Sequence, residues 1–341
     1  MYVLGIETSC DECSVAVVEN GKKIISNVVA TQIERHAPWN GVVPEIASRL
    51  HVEWIDFVTL QALDKAGMTL DKIDAVAVTS RPGLIGSLLV GLSYAKALAW
   101  SSGKKFTGVD HMMAHLYAPH LEYEIEYPYL GLIVSGGHTI LCRVDSMEKI
   151  EVLGTTIDDA CGEAFDKVAK FYDMGYPGGV ALDKLAEKGD PEAFRFPEPS
   201  LHKGNHKYDV SYSGLKTAAV NQLEQFRTPG AEVSLENIAA SFRKAAIDML
   251  VKRIRRAVKE TGINRVVAGG GVSANRYLRS SLLNDEHIEA YFPSMKLCTD
   301  NGAMIAALGY HKLVKGEYSP LSLNAQARVS AFKRTYPKQK Y

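Results

Sequence analysis

The sequence predicts an α/β protein in which one plan is used twice: three antiparallel strands, then strands alternating with helices. Three observations carry this. Near the start, apolar runs at residues 3–7, 14–18 and 24–29 are separated by the polar turn Thr8-Ser9-Cys10-Asp11-Glu12 and by Asn20-Gly21, a strong hairpin signal. From Leu130 the pattern recurs without a gap: Leu4-Gly5-Ile6 aligns with Leu130-Gly131-Leu132, Ser9 with Ser135, the run from Val15 with that from Leu141, and Lys23-Ile24 with Lys149-Ile150. Each copy is then followed by segments of helical period alternating with short apolar runs. Three antiparallel strands followed by βαβα in each half describe two ribonuclease-H-like domains facing across a cleft.

In the first half, an amphipathic helix is expected over 44–66, a strand over 75–79, a helix over 84–100, a strand from Phe106 and a helix carrying His111 and His115. In the second, helices are expected over 159–170 and 180–188, then a Pro- and His-rich loop over 191–207. Long helices follow over 213–225 and 234–260. A strand at 265–268, the turn Gly269-Gly270-Gly271, a helix opened by Ser273 and a last helix over 301–314 complete the chain. The acidic, proline-containing stretch at 122–128 suggests the boundary. The expected domains are 1–125, 126–300 and a tail, 301–341, returning towards the first.

At 341 residues the chain can bury two sizeable cores. Its 39 basic and 39 acidic residues balance, so net charge points to no nucleic acid, although a local basic patch is allowed. The densest basic run is Lys252-Arg253-Ile254-Arg255-Arg256. Five cysteines at irregular spacing argue against a disulfide framework and for a reducing compartment. The start reads as a strand: it lacks a basic n-region and Glu7 interrupts the apolar run. No apolar run has membrane-spanning length. A cytoplasmic protein is expected.

The chemistry centres on His111-Met112-Met113-Ala114-His115. Histidines four apart stand one above the other on a helix and can close on one ion, as in helical zinc sites. They can equally be two ordinary helix histidines. Asp110 is placed to cap the helix. The protease signature would have glutamate where Met112 stands. Asp300, before the last helix, reads either as a helix cap or as a third ligand, since two histidines need a carboxylate to complete a facial set with open positions. Three glycine or polar turns, at 8–12, 135–139 and 269–275, read singly as tight hairpin or αβ turns and together as phosphate-cradling turns. Asp159, Glu163 and Asp166 fall on one helical face, as a site or as a solvated acidic face. Cys10 and Cys13 have a C-x-x-C spacing but no second pair.

Taken together, Gly5-Ile6-Glu7-Thr8-Ser9-Cys10-Asp11-Glu12, His111-x-x-x-His115, Ser135-Gly136-Gly137-His138-Thr139 and the stretch 158–167 resemble the bacterial TsaD family. So do Tyr176-Pro177-Gly178-Gly179, Ser211-Tyr212-Ser213-Gly214-Leu215-Lys216, the turn 269–275 and Cys298-Thr299-Asp300-Asn301-Gly302-Ala303. The resemblance covers nearly the whole chain, with Cys13 and Cys161 where Thr and Ala are expected. It implies the actin-like ATPase (ASKHA) fold and a tRNA threonylcarbamoyladenosine transferase. Such an enzyme moves the threonylcarbamoyl group of threonylcarbamoyl-AMP to the exocyclic amine of the adenosine 3′ of the anticodon, in tRNAs reading ANN codons.

By match to the motifs, His111, His115 and Asp300 would hold one divalent ion, iron or zinc. Ile133, Val134, Ser135, Gly136, Gly137, Asp166, Gly179, Asp183 and Asn275 would line the adenylate site. Asp11 and Glu12 are the candidates for handling the amine's proton. The implied partners are tRNA, TsaB and TsaE, with the adenylate supplied by a TsaC-type enzyme and no membrane. The competing readings are a metallopeptidase resting on the histidine pair, and an actin-fold nucleotide-binding protein or kinase without tRNA.

Overall fold

The structure is a computed structural model that describes residues 1–198, 201, 206–328 and 332. In chain order the first part comprises β1 (Tyr2–Glu7), β2 (Glu12–Glu19), β3 (Lys23–Thr31), α1 (Ile33–His36), α2 (Pro44–Lys65), β4 (Ala75–Arg81), α3 (Ile85–Ser101), β5 (Lys105–Asp110) and α4 (His111–Tyr117). The second comprises β6 (Tyr129–Val134), β7 (Thr139–Ser146), β8 (Lys149–Thr155), α5 (Cys161–Phe171), α6 (Gly178–Ala186), α7 (Ser213–Asn221), α8 (Leu235–Thr261), β9 (Arg265–Gly269), α9 (Arg276–Leu283) and β10 (Glu289–Tyr291). Then come α10 (Met295–Cys298) and α11 (Gly302–Val314). No helix among the described residues is long and apolar enough to cross a membrane.

Contacts divide the chain into two units, Met1–Ile125 with Pro293–Ala331, and a second built from Glu126–Phe292. The return therefore begins at Pro293, earlier than the expected residue 301. Ser294 already donates its N–H to Glu122 at 2.6 Å, which fastens α10 to the first unit before α11 begins. Of the expected tail, 329–331 and 333–341 lie outside the described residues.

The first sheet has the order β3-β2-β1-β4-β5 and the second β10-β9-β6-β7-β8, the same arrangement read from the other edge. In each, the opening hairpin is antiparallel and the later strands are parallel. Leu4 faces Val17 and Leu130 faces Arg143, the same register in both copies. Asn20 and Gly21 both adopt positive φ, 53° and 70°, as the tightest hairpin turn requires.

Strand alternation sorts β1 into two faces. Leu4 and Ile6 enter a core with Ile55, Val58 and Ala62 of α2 and with Leu92, Ala95 and Ala99 of α3. Gly5 faces the other way, where a Cβ would stand 2.2 Å from the Gly302 carbonyl oxygen and 2.5 Å from the Ala306 nitrogen. Only glycine lets α11 lie directly on the strand backbone. In the second unit α8 runs through the core, with Phe242 meeting Phe165 edge to face at 5.4 Å. Ser234 caps it, accepting from the Asn237 N–H, and Gly262 at φ 71° closes it.

Several expected boundaries move for local reasons. Residues 271–274 form a 3-10 turn, and Asn275, not Ser273, caps the next helix, accepting from the Leu278 N–H at 2.9 Å. The helix expected from 159 begins at Cys161, and that expected over 213–225 stops at Asn221. The three-residue β10 was too short to show a period.

Candidate metal centre and ligand site

Strand β5 delivers the chain to α4, and Asp110 caps that helix: its Oδ1 accepts from Met112 N at 3.0 Å and Met113 N at 3.2 Å. The cap sets the first turn, so the His111 and His115 rings meet with centroids 4.5 Å apart. The third group comes from the returning segment. Asn301, not Asp300, caps α11, accepting from the Met304 N–H at 3.0 Å. The capping role considered for Asp300 is thereby filled by its neighbour, and its carboxylate turns to the histidines. Asp300 Oδ1 lies 2.9 Å from His115 Nε2 and 3.5 Å from His111 Nε2.

One ligand atom from each of the three residues falls within 4.8 Å of the others. Tetrahedral ligands at about 2.1 Å from an ion stand about 3.4 Å apart, so two imidazoles and a carboxylate in this arrangement fit a zinc- or iron-sized ion. Their electrostatics agree. Burial works against a charged His111, but the carboxylates of Asp300 and Glu7 outweigh it and raise the imidazole to about 9. Burial alone would raise Asp300; His111 and His115 instead hold it well below the usual carboxylate range.

Glu7, read in the sequence as ending an apolar run and as a member of the first motif but given no role, is fully buried beside this site. Its Oε2 is 3.1 Å from His111 Nδ1, and Ser9 Oγ is 3.2 Å from the same nitrogen. Asp11 and Glu12 lead from the turn into β2, both half-buried. Burial, then the charges of Asp300 and Asp11, push the Glu12 carboxyl well above its ordinary value. Cys13 is buried in β2, and burial with Glu7 pushes its thiol up to about 12. Burial, Asp11 and Asp300 raise the Cys10 thiol too, so neither cysteine offers a thiolate.

The proposed adenylate residues all belong to the second unit. Ile133 and Val134 are buried in β6. Ser135 to His138 form a closed turn: Ser135 N donates to the His138 carbonyl at 2.8 Å and His138 N donates to Ser135 Oγ at 3.1 Å. The start of α5 packs against this turn, for a Cβ on Gly162 would stand 2.8 Å from both Gly136 Cα and the Ser135 oxygen. Gly136 and Gly137 are exposed, and a Cβ on either would meet nothing within 4 Å. Asn275 Nδ2 donates to Asp183 Oδ1 at 2.8 Å, and Arg243 donates to that oxygen at 2.9 Å. Asp166 Oδ1 accepts from the Gly179 N–H at 2.9 Å.

The acidic face divides instead of converging. Asp159, ahead of α5, pairs with Lys167 at 2.8 Å and Lys216 at 2.5 Å, and Glu163 pairs with Lys167. The basic run is also paired. Lys252 meets Glu198, Arg255 meets Asp285 and Arg256 meets Glu260. Arg253 is 4% exposed and donates to the Asp209 carbonyl at 2.9 Å, so it is a buried structural group and no phosphate contact.

A family model described as TsaD: tRNA N6-adenosine threonylcarbamoyltransferase matches residues 23–307. The chain belongs to the TsaD family. Among TsaD-family relatives, the tRNA N6-adenosine threonylcarbamoyltransferase of Treponema denticola is 59% identical over 334 residues, covering 98% of this chain and 99% of the relative. That of Borrelia garinii subsp. bavariensis is 51% identical over 340 residues, covering 100% of both. Among solved structures, component A of the Acidaminococcus fermentans (R)-2-hydroxyglutaryl-CoA dehydratase aligns with TM-score 0.55 at 13% identity, covering 92% of this chain and 99% of that one. Full-length HypF aligns with TM-score 0.59 at 16% identity, covering 93% and 47%. At such identities these two likenesses speak for the fold alone, which is the actin-like ATPase fold that the family resemblance implied.

Proposed function

We propose that this TsaD-family transferase moves the threonylcarbamoyl group of threonylcarbamoyl-AMP to the exocyclic amine of the adenosine 3′ of the anticodon, in tRNAs reading ANN codons. The carbonyl carbon gains a bond to the amine nitrogen and loses its bond to the phosphate oxygen. AMP departs, and the amine gives up a proton. The observation that carries the reading is the meeting of His111, His115 and Asp300 within 4.8 Å, from two distant stretches of a chain that matches this family.

Those three residues would hold one divalent ion, iron or zinc, which when bound supplies Lewis acidity towards a carbonyl or phosphoryl oxygen. The bare turn at Gly136 and Gly137 would offer backbone N–H groups to the phosphate. Asp183 and Asn275 would take the nucleoside. Among the described residues, Asp183 Oδ2 receives only a long 3.4 Å contact from the Arg276 N–H, which leaves it acceptor capacity for a ribose hydroxyl. Asp166 and Gly179 would border the same ligand. Glu12, with its raised carboxyl pKa and with Asp11 beside it, suits the proton of a weakly basic amine. TsaB and TsaE are the proposed partners, and a TsaC-type enzyme the source of the adenylate.

The test is reconstitution. The purified chain with TsaB, TsaE, tRNA and threonylcarbamoyl-AMP should yield threonylcarbamoyladenosine in digested tRNA, measured by mass spectrometry of the nucleosides. No modified nucleoside with every component supplied would overturn the reading.

A further inference from the structure

Glu7 closes β1 with its side chain fully buried. A carboxylate taken out of water must be met by donors or it will not stay charged. Three groups meet this one. Ser9 N donates to Oε1 at 2.5 Å, the Thr79 hydroxyl donates to Oε2, and His111 Nδ1 lies 3.1 Å from that same oxygen. The sheet builds the arrangement: β1 and β4 run parallel with Ile6 opposite Val78, so the next residues along, Glu7 and Thr79, are also neighbours. Among the described residues His111 is the only cationic side chain within ion-pair distance of Glu7.

An imidazole whose Nδ1 faces a carboxylate keeps its proton there and leaves the Nε2 lone pair for a second partner. His111 Nε2 is the nitrogen turned to Asp300, at 3.5 Å. His115 is held differently. Its Nε2 also faces Asp300, but its buried Nδ1 has no hydrogen-bond partner among the described residues. Polar orientation of the ligand pair therefore falls on His111.

We propose that Glu7 is a positioning residue, which fixes the tautomer and orientation of His111 so that Nε2 serves as the ligand atom. The Thr79 hydroxyl and the Ser9 N–H hold Glu7 in turn. The inference rests on the metal reading of the triad, and its test separates the two. Zinc and ferrous iron are titrated into the metal-free full chain against a competing chelator. Wild type should take up one ion. Glu7→Gln should take up one ion with affinity about tenfold to a hundredfold weaker. Thr79→Val should give a smaller loss of the same sign, and decides the matter if thermal melting shows that Glu7→Gln does not fold. In the zinc-loaded wild type, ¹⁵N spectra of the imidazoles should show His111 protonated at Nδ1 and bound through Nε2. Unchanged affinity in the folded variants, or zinc on His111 Nδ1, overturns the role of Glu7 while leaving the ion site standing. A wild-type chain that takes up no ion overturns the metal reading, and this inference with it.

Discussion

The turn after β1 and the turn after β6 hold the same place in two copies of one fold, and they have become opposites. The first is packed shut. Thr8 and Ser9 are buried, and the neighbouring helix and its approach close on them: a Cβ on Gly91 would stand 2.2 Å from Thr8 Oγ1, and one on Gly83 2.6 Å from the Ser9 oxygen. Ser9 Oγ turns inward to His111 Nδ1 at 3.2 Å, and the Thr8 hydroxyl donates to the Ser87 carbonyl at 2.9 Å. The second is stripped bare, with Gly136 and Gly137 facing open space. A duplicated scaffold thus supplies two equivalent positions, and side-chain bulk decides which is packed against its neighbours and which leaves its backbone open.

The largest expected effect lies at the packed copy. Replacing both histidines, His111→Ala with His115→Ala, should abolish bound metal and most transferase activity while circular dichroism still reports a folded chain. Unchanged metal by elemental analysis would remove the ion from this site. At the bare copy, Gly137→Val should abolish adenine-nucleotide binding by calorimetry with little change in melting temperature, because the added Cβ meets no atom within 4 Å. Gly162→Ala makes the contrast, since its methyl would press on Gly136 Cα and the Ser135 oxygen from 2.8 Å; a loss of about 1–3 kcal/mol in stability is expected. Equal melting temperatures for the two variants would contradict the difference drawn between the two sides of the turn. The smallest effect should come from Cys10→Ser with Cys13→Thr, which is expected to keep both metal and activity. Loss of metal there would mean that the thiols take part after all.

Much of this was legible in the residues. The hairpins declared themselves through alternation and the Asn20-Gly21 turn, and the repeat fixed the second copy from the first. The histidine pair was visible because a four-residue spacing has only one geometric meaning on a helix. Asp300 was proposed from chemical need alone, and only the structure shows that the neighbouring Asn301 takes the cap. Glu7 was missed because a charge at the end of an apolar run reads as the end of the strand, whereas here it is the inward-facing residue. The burial of Arg253 was hidden for a related reason. On α8 both Arg253 and Ile254 are buried, so the helix is covered over a broad arc that the period could not reveal.

The path of the chain has a consequence for how this protein comes into being. His115 and Asp300 are separated by 185 residues, a whole unit's worth of sequence. At about 5–20 residues per second, that interval is on the order of ten to forty seconds of ribosomal synthesis. Throughout it, the face of β1 at Gly5 awaits α11, and two histidines wait without their carboxylate. The first unit to begin is then the last to be finished, and His111, His115 and Asp300 can come together only after the chain has passed residue 300.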